Sequence, residues 1–232
     1  MVAKNNYADN KTYTLSYQRL VGFKIFLGRK ILHHKQWEME HVTNYLSDNM
    51  NGGAILDIGC STGHLTKCLS KEFGSDRVSG ADICLSSVKR NRNLYNDIDF
   101  HHIHNGFYNE HEIRYSAITL MHVLEHIKQP VEFLNEVTKL LDHDGILVIG
   151  VPQERIRGDL AVFENIFNII RGKFHNVHLR NYTFDSLSDE LNSAELNVQD
   201  YKYNNLLRRN SNVSSLMNHS LIMYTKKNNE LT

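Results

Sequence analysis

Apolar residues recur at helical spacing from about residue 19 to about residue 50, at Leu20, Phe23, Ile25, Phe26, Ile31 and Leu32 and then at Trp37, Met39, Val42 and Leu46. Positions three and four apart share one helix face, so this stretch predicts a helical cap ahead of the core. From Ala54 strand and helix patterns alternate: AILDIG then HLTKCLSKEF, RVSGADI then SSVKRNRNLY, FHHIHN, SAITLMHVL then VEFLNEVTKLL, and GILVIGV. Alternation of this kind predicts an α/β fold, a doubly wound parallel sheet with helices on both faces in three layers. GILVIGV has no polar residue to turn outward, as expected of a strand buried on both faces near the middle of a sheet. Residues 152–182 break the rhythm with DLAVFENIFNIIRGKF and HNVHLRNY. The chain then resumes with a helix around DSLSDELNSAEL and two strands, LNVQDYKY and HSLIMYTKK.

Composition narrows the possible partners. A chain of 232 residues that is 41% hydrophobic can bury a full core as one domain. Basic and acidic residues balance at 26 each, so no global field recruits a polyanion, which argues against nucleic acid as a partner. The most apolar early stretch, LVGFKIFLG, is cut by Lys24 and is far shorter than the ~20 residues of a membrane span. Cys60, Cys68 and Cys84 are odd in number and form no CxxC pair, and no leader pattern is visible, so a reducing, cytoplasmic setting is expected.

The first chemistry lies where strand AILDI runs through GCSTG into a helix. Gly59 and Gly63 stand where backbone must bend tightly and approach a ligand without a Cβ in the way. The helix beginning near His64 presents unpaired N–H groups to a carboxylate or a phosphate. The loop lacks the third glycine of a dinucleotide fingerprint and the Gly-Lys-Ser/Thr of a P-loop. Asp82 closes the second strand, nineteen residues after Gly63, where a carboxylate can accept hydrogen bonds from both hydroxyls of a ribose. Taken singly, the glycines are a turn and the acid a helix cap; together they predict a nucleoside-bearing ligand.

LDIGCSTG, GADIC and SAITLMHVLEHIKQPVEFLNEVTKLLDHDGILVIGVP resemble the class I S-adenosylmethionine-dependent methyltransferases over roughly residues 37–225. VLEHI and the leucine-rich run that follows it resemble the branch holding the ubiquinone-pathway O-methyltransferases. The resemblance implies a Rossmann-like seven-stranded sheet in the order 3-2-1-4-5-7-6 with strand 7 antiparallel. It implies one domain: a helical cap or lid over 1–50, a cofactor-binding half over 51–151, a lid insertion over 152–182, and a C-terminal helix and strands over 183–232. S-adenosylmethionine would be the cofactor. Asp57 and Gly59 would meet its methionine portion, Gly63 its close backbone approach, Asp82 the ribose, Asn105 and Gly106 the adenine edge, and Met121 and His122 the neighbourhood of the sulfonium. Cys60, Ser61 and Ile83 belong to the same expected pocket. Ser61 stands where the family has its middle glycine, and Asn105 where an acid is usual.

The segment MHVLEHIKQP carries a second question. In resembling quinone and small-RNA methyltransferases a Glu-x-x-Glu-His segment holds a divalent metal, and here the pattern is His122-x-x-Glu125-His126. On a helix these three share a face and could converge on one ion, with His178 as a fourth ligand. Two or three imidazoles with one carboxylate suit Zn or Fe better than Mg. The alternatives are that Glu125 and His126 only tie the strand end to its loops, and that His122 is a general base or an acceptor contact. His101 and His102 alternate across a strand and so do not share an ion, and His33 and His34 could reach over the pocket. Phe163, Phe167, Ile169 and Phe174 would line an apolar acceptor pocket. The expectation is methyl transfer to a hydroxyl, less readily an amine, of a small-molecule metabolite. A metal-dependent RNA-terminus methyltransferase and a non-catalytic binding subunit stand as rivals, and oligomeric state is not specified.

Overall fold

The computed structural model describes residues 34–153, 180–205, 212–215 and 218–228. The expected cap before His34, including His33, and Phe163, Phe167, Ile169, Phe174 and His178 lie outside these residues. The chain opens with α1 (His34–Asn49) and then alternates: β1 (Ile55–Ile58), α2 (His64–Phe73), β2 (Val78–Asp82), α3 (Leu85–Leu94), β3 (Asp99–His102) and the short α4 (Phe107–Glu110). There follow β4 (Tyr115–Met121), α5 (Pro130–Thr138), β5 (Leu141–Pro152), α6 (Phe184–Ser193), β6 (Leu196–Asn205) and β7 (Asn218–Lys227).

These strands form one seven-stranded sheet in the order β3-β2-β1-β4-β5-β7-β6, as the resemblance implied. All pairings are parallel except those of β7, which runs antiparallel between β5 and β6. Period-two alternation feeds two layers of core. Leu56, Ile58, Ile118, Leu120, Leu147, Ile149 and Val151 pack in one cluster with Phe133 and Leu134 of α5 and Leu187 and Leu191 of α6. Ile55, Ala117, Ile146, Val148, Ile222 and Tyr224 turn to the other face, where they meet Leu69 of α2 and Val42 and Leu46 of α1. Tyr45 stacks on Tyr224 with ring centroids 3.7 Å apart, fixing α1 against β7.

Two helices start for visible reasons. Pro130 occupies the first turn of α5, where its missing N–H costs nothing. At α6, Thr183 and Ser186 satisfy each other's backbone N–H in a capping box. One expectation needs correction: residues 122–126 do not form a helix. His122 has a φ of 59°, and a single 3-10 turn, Leu124–His126, follows it. The His122 N–H donates to the Gly150 carbonyl at 2.8 Å, prolonging the β4–β5 ladder in place of helical bonding. Among the described residues no helix is long and apolar enough to cross a membrane.

Candidate active site

The strand order reverses between β1 and β4, and at such a point the loops after the strands part to leave a crevice. The loop after β1 lines it. Gly59 and Gly63 have φ of 76° and 73°, values that only glycine adopts freely. A Cβ on Gly59 would collide with the Val123 side chain, and one on Gly63 would lie 2.9 Å from the Tyr95 ring. Ser61 also takes a left-handed conformation, φ 45°, which a serine adopts at some cost in strain.

Asp82 ties this loop to the next. Its carboxylate accepts from the Ser61 N–H and from the Cys84 N–H, each at 2.7 Å. The Ser61 carbonyl in turn accepts from Arg90 at 2.8 Å and Asn91 at 2.9 Å. Burial pushes the Asp82 pKa up, against the pull of the two N–H donors and Arg90. Asp57 is buried beside this framework, with one oxygen accepting from Thr66 at 2.6 Å and the other from Thr119 at 2.8 Å. Burial raises its pKa to about 6, with the two hydroxyls opposing the rise and Asp82 adding to it. Cys60 is buried in the turn, and Ile83 packs on the core with its carbonyl 3.1 Å from His102 Nε2. Asn105 is exposed, and Gly106, φ 96°, caps the start of α4. Met121 lies over Gly150, where a Cβ would meet its sulfur at 2.6 Å.

At the ends of β4 and β5 a charged cluster forms. His122 Nε2 is 2.8 Å from Glu38 Oε1 and 2.8 Å from Lys35 Nζ, while its Nδ1 faces Glu125 Oε1 at 3.7 Å. Glu38 is 4% exposed and also accepts from Ser220 Oγ on β7 at 2.6 Å and from Lys35 at 2.6 Å. Burial alone would raise the Glu38 pKa, but Lys35, His122 and His219 together hold it well below the usual carboxylate range. Burial and Lys35 oppose charge on His122, yet the two carboxylates outweigh them and raise its pKa. Burial likewise works against Glu125, but His122 and His126 hold its pKa below the usual value. Its Oε2 is buried without a hydrogen-bond partner among the described residues, and its Oε1 lies 3.9 Å from His126 Nε2.

The geometry thus gathers Asp57, Gly59, Cys60, Ser61, Gly63 and Asp82 around one loop. His122 and Glu125 fall in a second cluster, and His126 Nε2 lies 3.9 Å from the same Glu125 oxygen that faces His122. Glu38, Lys35, His219 and Ser220 were not among the expected site residues. The ligand atoms of Glu38, His122 and His219 all lie within 4.8 Å of one another, a grouping different from the expected His122, Glu125, His126 and His178.

The methyltransferase-domain family model matches residues 31–201. The mitochondrial ubiquinone biosynthesis O-methyltransferase of Dictyostelium discoideum is 26% identical over 116 residues, covering 44% of this chain and 36% of that protein. The ubiquinone biosynthesis O-methyltransferase of Psychrobacter cryohalolentis is 22% identical over 170 residues, covering 68% of this chain and 65% of that protein. In both cases the chain spans less than two thirds of the relative's length. An S-adenosylmethionine-dependent methyltransferase from Clostridium acetobutylicum matches in fold with a TM-score of 0.66 at 12% identity, over 91% of this chain and 99% of that one.

Proposed function

The chain belongs to the methyltransferase-domain family, in the S-adenosylmethionine-dependent class, and from that premise we propose that it methylates a hydroxyl oxygen of a small-molecule acceptor. The observation that carries the reading is the pinned pair of Ser61 and Asp82 at the sheet's switch point. Asp82 brings a buried carboxylate to the place where ribose hydroxyls can donate to it, since each oxygen that accepts one N–H keeps a second lone pair. Gly59 and Gly63 give the cofactor a backbone surface without side chains, and Asn105 with Gly106 would meet the adenine edge.

In the transfer the acceptor oxygen attacks the methyl carbon in line with the carbon–sulfur bond. The bond's electron pair would return to sulfur, giving S-adenosylhomocysteine, and the hydroxyl proton would pass to water or a nearby base. Alignment and exclusion of water would supply most of the rate. His122 faces carboxylates with both ring nitrogens, which suits a charged residue that fixes the strand end and orients the acceptor; to act as a general base, it would first have to be released from one of them. The similarity to ubiquinone biosynthesis O-methyltransferases favours oxygen over nitrogen as the acceptor atom.

A panel of phenols, catechols and primary amines, incubated with methyl-labelled S-adenosylmethionine and resolved by mass spectrometry, tests the choice of atom. Label is expected on oxygen. Label found on nitrogen alone would overturn that part of the reading.

A further inference from the structure

We propose that Glu38, His122 and His219 form a site for a single divalent transition metal, and that the Lys35 ammonium is the cation that holds the same place when no metal is bound. The three side chains come from α1, the end of β4 and the start of β7, and the sheet brings them to one edge. Tetrahedral ligands about 2.1 Å from a zinc ion stand about 3.4 Å from one another. Glu38 Oε1 and His122 Nε2 are 2.8 Å apart and no ligand atom of the three is more than 4.8 Å from another, so side-chain adjustment alone closes the set. Two imidazoles and one carboxylate select zinc or ferrous iron over magnesium.

Two further observations separate this cluster from a chance meeting of side chains. Both principal ligands have orienting partners of their own, as protein metal ligands do. His122 turns Nδ1 toward the buried Glu125, leaving Nε2 for the cluster, and Glu38 is held by the Ser220 hydroxyl at 2.6 Å. The place also already attracts a cation, because Lys35 Nζ lies 2.6 Å from Glu38 Oε2 and 2.8 Å from His122 Nε2. Lys35 sits in the first turn of α1 with its side chain 18% exposed, so it has a route outward when a metal displaces it. Glu125 approaches the other nitrogen of His122 and acts as a support for the ring, not as a ligand beside it.

Three protein ligands leave a coordination position open. Resting on the proposed function, that position is where an acceptor oxygen would be polarised, which favours phenols and vicinal diols among the acceptors. The test separates the two readings. Wild type, His219→Ala and Lys35→Ala are titrated with Co2+, followed by visible absorption, and their zinc content is measured after desalting; S-adenosylhomocysteine binding is measured on each by calorimetry.

One Co2+ per chain in wild type, lost in His219→Ala, and binding at least about tenfold tighter in Lys35→Ala, where the competing charge is gone, are expected. A gain in Lys35→Ala cannot come from misfolding, so it decides the matter even if His219→Ala proves unstable. Failure of both wild type and Lys35→Ala to bind, or His219→Ala binding as tightly as wild type, overturns the site. S-adenosylhomocysteine binding without metal binding sinks only the metal proposal, and the reverse sinks only the methyltransferase reading.

Discussion

Asp57 is the residue where the cost of the site is plainest. Its buried carboxyl has a pKa raised from 3.8 to about 6, so the folded protein holds this proton more tightly than the unfolded chain does. The sign follows from that difference: the contribution to stability is most favourable below the unfolded value, declines as pH rises from 3.8 toward about 6, and remains unfavourable above it. A shift of that size corresponds to about 3 kcal/mol. Asp57→Asn is therefore expected to raise the melting temperature at neutral pH and to flatten its decline across that interval, as measured by thermal denaturation. An unchanged pH dependence would contradict the assignment. At this scale the turn at Gly59 and Gly63 and the place of Asp82 at the end of β2 were legible in the sequence, because a strand, a glycine turn and an acid at the next strand end constrain one another locally. Ser61 departs from the glycine the resemblance implies, and its φ of 45° lies in the left-handed region that favours glycine. Glu38 and His219 carried no local signal. Glu38 lies 84 positions from His122 and 182 from Ser220 in sequence, and no periodicity reports contacts made through the docking of α1 and the reversal of β7.

Among the elements, α1 determines whether the charged cluster exists, since it supplies Lys35 and Glu38. Val42 and Leu46 are fully buried against the sheet. Leu46→Ala is expected to cost about 2–5 kcal/mol, read as a lower urea midpoint. A change below about 1 kcal/mol would mean that α1 is not docked as described. The alternation of strand and helix patterns from Ala54 onward was readable because each element buries its own face at its own period. The segment after β4 does not take the helical form on which a shared face of His122, Glu125 and His126 depended. Its β-ladder bond to Gly150 competes with helical bonding, and the preference of the residue before Pro130 for extended backbone keeps any helix there from running into α5. The consequence is chemical as well as geometric, because His122, in left-handed backbone at φ 59°, turns one nitrogen toward Glu38 and the other toward Glu125.

For the whole molecule, the order of the strands was not contained in their spacing. It followed from the resemblance, and the seven-stranded sheet with its antiparallel β7 bears that out. The order matters for function because it places β1 between β2 and β4, so the ends of all three strands face one crevice, while β7 carries His219 and Ser220 to the same edge. With 26 basic and 26 acidic residues the molecule has no net charge to draw in a large anion. The proposed cofactor site is tested by calorimetric titration of wild type and Asp82→Ala with S-adenosylhomocysteine. One site per chain is expected in wild type, weakened about tenfold to a hundredfold in the variant if the Asp82 carboxylate accepts from the ribose hydroxyls as proposed. Absence of binding to wild type, or equal binding to the variant, would contradict it.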